Sequence, residues 1–499
     1  MSGTQQGALQ APRGSGLQIG LRSFLWAFCI LLALMVAAGV LTRVIPAGSY
    51  ERVVEQGRTL VVPGTYRQVD RPSYPAWRWF TAPVEVLWSE DSLTVITIIL
   101  FLVFIGGAFA VVEKGEVLKH ILAVFVARFQ NRKYLLMAGI MFFFAVCGGV
   151  LGIYEEAVPL VVFVVPLAHA LGWDTLVGLG MSLLALAFGF AASVTNPFTV
   201  GVAQTIAGLP LFSGAGFRLA YFLVTFIVVF LFVYRYARKV EADPSRSLCH
   251  AEDAALREAH AGGKAAQGVD AAKAPRMRRA SAWLSAWIIL TLVFIILVVT
   301  TRNAMPALSR YAFPLVGVFF LIAGLGAGLL AGMGGRGTFA AFWAGLVNIL
   351  PAVILILMAL SAKHIVVRGG IMDTILLAAS NAITGAPKFL AAFLVYVATL
   401  VLEFFVGSAS AKAFLMMPIL APLADLVGIT RQTTVLAFDI GDGFANMFFP
   451  TNALLLIALG LTVVGYPKWI RWTLPLQGIM FLISMAFLMF AVAIGFGPF

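Results

Sequence analysis

The chain reads as an all-α polytopic membrane protein built from two inverted repeats, each holding a re-entrant hairpin and a broken helix, with about nine full spans. Three observations lead there. Hydrophobic residues make up 61% of the chain and charged residues 11%, whereas roughly a quarter of a soluble domain is charged. Many apolar runs reach the ~20 residues that cross a bilayer as a helix, and the alternating ~10-residue strands of a membrane barrel are missing. A pattern also recurs without a gap 256 positions along the chain. Pro166-Leu167-Ala168 returns as Pro422-Leu423-Ala424, Gly172 as Gly428, Phe188 as Phe444 and Thr195-Asn196 as Thr451-Asn452. Each copy sets a polar pair beside a proline, Pro197 or Pro450, deep in an apolar run. Backbone at membrane depth breaks in this way only where protein buries it or it lines a cavity. Paired breaks in two halves are the sequence pointer to a transporter's binding site. The alternative is chance matching within an apolar alphabet.

Residues 1–23 are polar and Gly-rich and form a cytoplasmic N-terminus. The apolar run 24–45 is a first span, too long for a signal core and without a small-residue cleavage site after it. Residues 46–90 mix Arg, Glu, Pro and Trp, and make an extracytoplasmic loop with an aromatic interfacial end at Trp77, Trp79 and Trp88. A span at 92–112 precedes a basic amphipathic stretch, 114–133, on the cytoplasmic side. Residues 134–173 carry two apolar arms around Gly148-Gly149, Gly152 and Tyr154-Glu155-Glu156. They form a re-entrant hairpin, or else two full spans with a short loop. A broken helix at 175–208 and a span at 218–236 complete the first membrane repeat, 24–237. The hydrophilic linker 238–281 holds nine Arg and Lys residues, is cytoplasmic by the positive-inside rule and is expected to have little fixed structure. A connecting span, 282–301, inverts the second repeat. That repeat, 313–499, has spans at 313–333 and 338–364, an amphipathic segment at 365–388, a hairpin at 389–428, a broken helix at 431–464, a basic cytoplasmic turn at Lys468 and Arg471, and a last helix at 473–495.

Several residues can carry chemistry. Adjacent carboxylates at Glu155 and Glu156 are costly in an apolar stretch and point to a cationic substrate group or a proton; the alternative is a solvated interfacial turn. Thr195, Asn196, Thr451 and Asn452 lie where freed carbonyls can hold Na⁺, near Asn196 and Asn452, and where helix N-termini face a carboxylate. Helix–helix hydrogen bonding is their alternative. Ser408 and Ser410 flank a small-residue turn that lets backbone approach a ligand. Lys412 can pair with a carboxylate of the protein or of the substrate, or reach to the interface. Asp439 and Asp442 share one helical face and suit a cation or proton, or a pairing with Lys412 or another base. Glu403 has no assigned role, and His169 and His364, near helix ends, read as structural.

Other classes are disfavoured. No metalloprotease, P-loop or nucleophile-elbow motif is present, so an enzyme is not expected and no cofactor is implied. The net charge of +12 sits largely in loops that set orientation, so nucleic acid is not an expected partner. Three scattered cysteines indicate neither disulfides nor a zinc site. The expected partners are a small-molecule substrate, the lipid bilayer and H⁺ or Na⁺.

The strings Asn196-Pro197-Phe198-Thr199-Val200-Gly201, Ala207-Gly208-Leu209-Pro210-Leu211-Phe212-Ser213-Gly214, and Met417 through Gly428 with Thr430-Arg431-Gln432 and Gly441-Asp442-Gly443 resemble the YfcC family. The resemblance covers nearly the whole chain outside the termini and linker. It implies a bacterial inner-membrane secondary transporter related to the C4-dicarboxylate anaerobic carriers, in a superfamily whose members are often dimers. It also implies a fold of two inverted repeats whose hairpin tips and helix breaks form the site. Family members include proposed basic amino-acid antiporters and arginine/ornithine exchangers. Carried over, the site falls on Glu155, Glu156, Thr195, Asn196, Ser408, Ser410, Thr451 and Asn452. The chain departs from the family at Lys412 and Asp439, where Gln is usual. These are either a compensating pair or the mark of a different substrate. The function expected is alternating-access antiport of basic amino acids. A C4-dicarboxylate carrier, with Lys412 as its best support, comes second, and a passive channel or membrane-embedded enzyme forms the rival class.

Overall fold

The computed structural model describes residues 21–55, 58–89, 92–254, 274–301 and 312–497. Nearly all of the expected N-terminal tail and the middle of the linker lie outside these. Among the described residues nine helices are long and apolar enough to cross a membrane, and the chain is an all-α polytopic membrane protein. The number matches the expectation but the membership does not. Lys133–Leu151 and Ala409–Val427, both hairpin arms, are among the nine, and the interrupted segment 431–464 is not.

In chain order the helices are α1 (Leu21–Val44), α2 (Arg78–Glu85), α3 (Ser92–Lys114), α4 (Val117–Phe129), α5 (Lys133–Val146), α6 (Val161–Ala170), α7 (Thr175–Leu179), α8 (Ala185–Ala192), α9 (Val200–Ala207) and α10 (Ala215–Ala242). Next come α11 (Ala274–Thr301), α12 (Ala312–Leu330), α13 (Gly334–Arg368), α14 (Met372–Ile383), α15 (Lys388–Glu403), α16 (Ala409–Val427), α17 (Arg431–Ala445), α18 (Ala453–Gly460) and α19 (Tyr466–Ile494). Helices α1, α3, α11, α12 and α13 pack on one another as an outer group. Small residues bring them close: a methyl added to Gly345 would run into the backbone of Gly106. Only 22% of the apolar window of Ala274–Ile295 and 28% of that of Phe24–Val44 are buried, against 100% for Thr175–Ala192. The outer helices therefore present their apolar sides to lipid, and the irregular first broken segment is wrapped in protein, as membrane-depth backbone requires.

The first hairpin is α5, a wide π-type turn at Cys147–Leu151, a tip, a tight turn at Val158–Leu160, and α6. Its ends meet. Lys133 pairs with Glu241 at 2.6 Å, Tyr134 and Trp173 donate to the same carboxylate, and the Tyr134 and Trp173 rings lie 5.6 Å apart. The chain thus returns to the face it left. The two interrupted segments, α7–α9 and α17–α18, run antiparallel. Gln204 donates to Gln432 at 3.2 Å and Arg431 to the Ala207 carbonyl at 2.8 Å, which joins the end of the first to the start of the second. At the other face Thr175 donates to Asp253, and Lys468 pairs with Glu252.

Four expectations need correcting. The linker is folded at both ends: α10 runs to Ala242, α11 begins at Ala274, and residues 243–254 dock on the helical body with Asp253 fully buried. Alanine and arginine favour helix, and a buried acid capping Thr175 outweighs the polar composition that suggested disorder. Lys468 and Arg471 are not a turn but the first turns of α19. The amphipathic stretch at 365–388 is instead the end of α13 and then a separate helix, α14. The loop at 46–90 contains two antiparallel ladders that were not foreseen, Gly48–Ser49 with Arg67–Gln68 and Arg52–Glu55 with Arg58–Val61. They are tied to α14 through Asp373, which accepts from the Tyr50 amide and from Arg52, both at 2.8 Å.

Candidate functional site

The tip of the first hairpin turns at Gly152, whose φ of +69° only glycine adopts freely and where a methyl would strike Asn196. The turn drives Tyr154 inward against Phe190, with ring centroids 5.3 Å apart, and sends Glu155 and Glu156 outward. Glu155 is exposed and Glu156 half-buried, and among the described residues neither is ion-paired.

The first break comes after α8. Ser193 takes a left-handed conformation at φ +43° while fully buried, a strain that the surroundings must hold. The Thr195 amide donates to Gly149 O at 3.2 Å and its hydroxyl to Val150 O at 3.1 Å. Asn196 donates to Gly148 O at 3.4 Å and accepts from the amides of Phe198 and Thr199 at 2.9 and 3.3 Å. This pair latches the break to the hairpin. It satisfies backbone groups that the break and the π-type turn set free.

At the second break Asn452 caps α18, accepting from the amides of Leu454 and Leu455 at 3.0 and 3.1 Å, and donates to Asn446 at 2.7 Å. Thr451 is half-buried beside it. The tip of the second hairpin is open: Gly407 and Ser408 are exposed and Ser410 half-buried. Ser408 caps α16 by accepting from the Ala411 amide at 3.4 Å.

One turn into α16, Lys412 is fully buried between two carboxylates. It pairs with Glu403 at the end of α15 and with Asp442 of α17 at 2.5 Å. This cluster ties both arms of the second hairpin to the second broken helix. Asp439, one turn earlier, is fully buried, and among the described residues Lys412 pairs with Glu403 and Asp442 and not with it. The compensating partners of Lys412 are therefore Glu403 and Asp442, and the Lys412–Asp439 pairing is not formed. The geometry brings Glu403, Lys412 and Asp442 together; it leaves Glu155 and Glu156 outside their ion pairs.

Helix contacts hold this arrangement. α8 crosses α17 where Gly443 meets the Ala191 backbone, so closely that a methyl on Gly443 has no room. α16 packs along α9, and the turn at Val158–Leu160 packs on α18. Each hairpin thus touches the far half of the opposite broken helix.

Two residues of the site were missed from sequence. Arg218, at the start of α10, is fully buried. Its guanidinium donates to the carbonyls of Ser193 at 3.0 Å, Val194 at 3.1 Å and Ser213 at 2.9 Å. An arginine at the head of an apolar helix reads as an interfacial residue, and nothing local marks it as interior. Tyr154 stands next to the conspicuous glutamates but points the other way.

A profile of the C4-dicarboxylate anaerobic carriers (DcuC) matches residues 24–493. The chain belongs to that family. It is a carrier-type membrane transporter, which handles a small-molecule substrate within a lipid bilayer. It is 29% identical over 504 residues to an Escherichia coli K12 protein named "Putative basic amino acid antiporter YfcC", covering 94% of this chain and 96% of that one. It is 25% identical over 510 residues to an uncharacterized Haemophilus influenzae protein, covering 94% and 97%. Among solved structures, the Alcanivorax borkumensis YdaH transporter aligns over 95% of this chain and 99% of its own, at 19% identity and a TM-score of 0.40. Neisseria gonorrhoeae MtrF, described as illuminating a class of antimetabolite efflux pumps, aligns over 95% and 98% at 15% identity and the same TM-score.

Proposed function

We propose that the chain is an alternating-access antiporter of basic amino acids in a bacterial inner membrane, with a cytoplasmic N-terminus and two inverted halves. The antiparallel broken segments and the hairpins that each reach across to the other's far half support the inverted arrangement. One observation carries the substrate class. Glu155 and Glu156 stand at a hairpin tip, accessible and without a protein cation, while Lys412 is already held by two carboxylates. Around the tips and breaks two cations, Lys412 and Arg218, face five carboxyl groups: Glu155, Glu156, Glu403, Asp439 and Asp442. Such an interior favours a solute bringing positive charge. In this reading its carboxylate falls to the N-terminal end of α18 and the Ser408–Ser410 turn. The named function of the Escherichia coli relative agrees with this reading, and the names of the relatives speak for transport rather than catalysis.

A second reading, a C4-dicarboxylate carrier, is favoured by the family description. Lys412 no longer supports it, since the ammonium is already engaged within the protein. Exchange assays in proteoliposomes with radiolabelled arginine, lysine and ornithine against succinate and fumarate separate the two. Arginine-for-ornithine exchange is expected. Exchange of succinate alone would establish the carrier reading instead, and flux without any counter-solute would indicate a channel.

A further inference from the structure

We propose that the two positions where helix breaks would bind a metal cation are filled by the chain's own cations, Arg218 and Lys412, so that transport runs without sodium. The inference rests on the antiport reading for its driving force but not for its chemistry. Breaks in membrane helices free carbonyls and gather carboxylates, and these are the groups that hold coupling ions. At the first break the freed carbonyls of Ser193 and Val194 are taken by the Arg218 guanidinium, which reaches on to Ser213 O. At the second the carboxylates are Glu403 and Asp442, and the Lys412 ammonium lies between them, with all three side chains at 1% exposure or less.

Buried carboxylates cannot stand charged and uncompensated, so Glu403 and Asp442 must be matched by a cation or by protons in every state in which they are buried. An ammonium on the adjacent helix meets that need permanently. One proton shared between the two carboxyls balances the remaining formal charge, and no metal ion is called for. A tethered cation returns with the protein in each cycle and moves no net charge, so the free energy for uptake comes from the solute leaving. Arg218 does more than neutralise. Its planar fork, holding three carbonyls from two segments, fixes the strained Ser193 turn.

The test compares NaCl with choline chloride at equal ionic strength on both sides of proteoliposomes carrying the wild-type protein. Exchange of radiolabelled L-arginine is expected to proceed at rates within about twofold; a loss of about tenfold or more on removing sodium overturns the proposal. Absence of arginine exchange in both salts would count against the antiport reading alone. Thermal melting of the purified protein then decides the present one. The wild-type Tm is expected to be the same in both salts, and a saturable, sodium-specific rise overturns the proposal. In Lys412→Gln the two carboxylates lose their resident cation, and a sodium-specific rise in Tm absent from the wild type is expected. A folded Lys412→Gln protein indifferent to sodium also overturns the proposal. Should that variant not fold, the wild-type comparison stands alone.

Discussion

Glu155 and Glu156 differ from every other acid near the breaks in having access and no partner cation. Gln replacements keep their shape and remove the charge, so Glu155→Gln and Glu156→Gln should each lower arginine exchange by about tenfold or more while leaving the melting temperature and elution profile unchanged. Wild-type exchange in both variants would exclude these acids from the mechanism. They were legible because two carboxylates inside an apolar run are expensive and therefore conspicuous. Thr195 and Asn196 were equally conspicuous, and the structure gives them a latching role: their polar atoms bond hairpin backbone. Arg218 escaped notice because its burial depends on α10 packing beside a break more than twenty residues earlier, a contact with no local signature.

Gly443 shows how the helices depend on close approach. Its missing side chain lets α17 cross α8 at Ala191, next to Asp442, which pairs with Lys412 of the second hairpin. Gly443→Ala should force the helices apart and cost about 1–3 kcal/mol, read as a lower melting temperature together with reduced exchange; unchanged melting would show that the crossing can relax. In the loop that follows α1, α2 is locked by Glu85. Burial raises its carboxyl, but hydrogen bonds from Arg78 and Thr81 outweigh this and bring it from 4.5 to about 2. A folded value below the unfolded one contributes stability above about pH 4.5, which is lost as pH falls toward 2. Because the pair is partly open to water, the contribution is about 1 kcal/mol or less. Glu85→Gln should therefore flatten the decline of melting temperature between those pH values. A decline as steep as that of the wild type would place the acid sensitivity elsewhere. The positions of hairpins and breaks along the chain were legible from apolar runs interrupted by Gly, Pro, Thr and Asn. The extent of α10, α11 and α19 was not, because Arg- and Lys-rich ends read as loop while their backbone continues as helix.

Across the molecule the contacts define two faces. Glu241, Glu252, Asp253 and Lys468 gather on one; Asp373, Arg52, Gln204 and Gln432 lie toward the other. Basic residues beside the first set suggest that it is cytoplasmic. With exposed Cys29 replaced by Ser, Arg246→Cys should react with an impermeant maleimide only in inverted vesicles. Arg71→Cys and Thr384→Cys should react in whole cells. Labelling of Arg246→Cys in whole cells would reverse the orientation. The docked segment 243–254 also ties the start of the first broken helix to the start of α19, so the halves are coupled at this face by more than helix packing.

Apolar length and the doubled Thr-Asn break were enough to establish a helical membrane protein with two interrupted segments, because bilayer thickness and backbone hydrogen bonding leave a chain of this composition few other forms. Which charges meet was settled by packing. Lys412 joins Glu403 and Asp442, Arg218 holds the carbonyls of the first break, and the linker's Asp253 caps a membrane helix. Apart from Lys412 with Glu403, which meet across one hairpin tip, these pairings unite residues distant in sequence. Their worth comes from a low-dielectric interior that exists only once the helices have assembled.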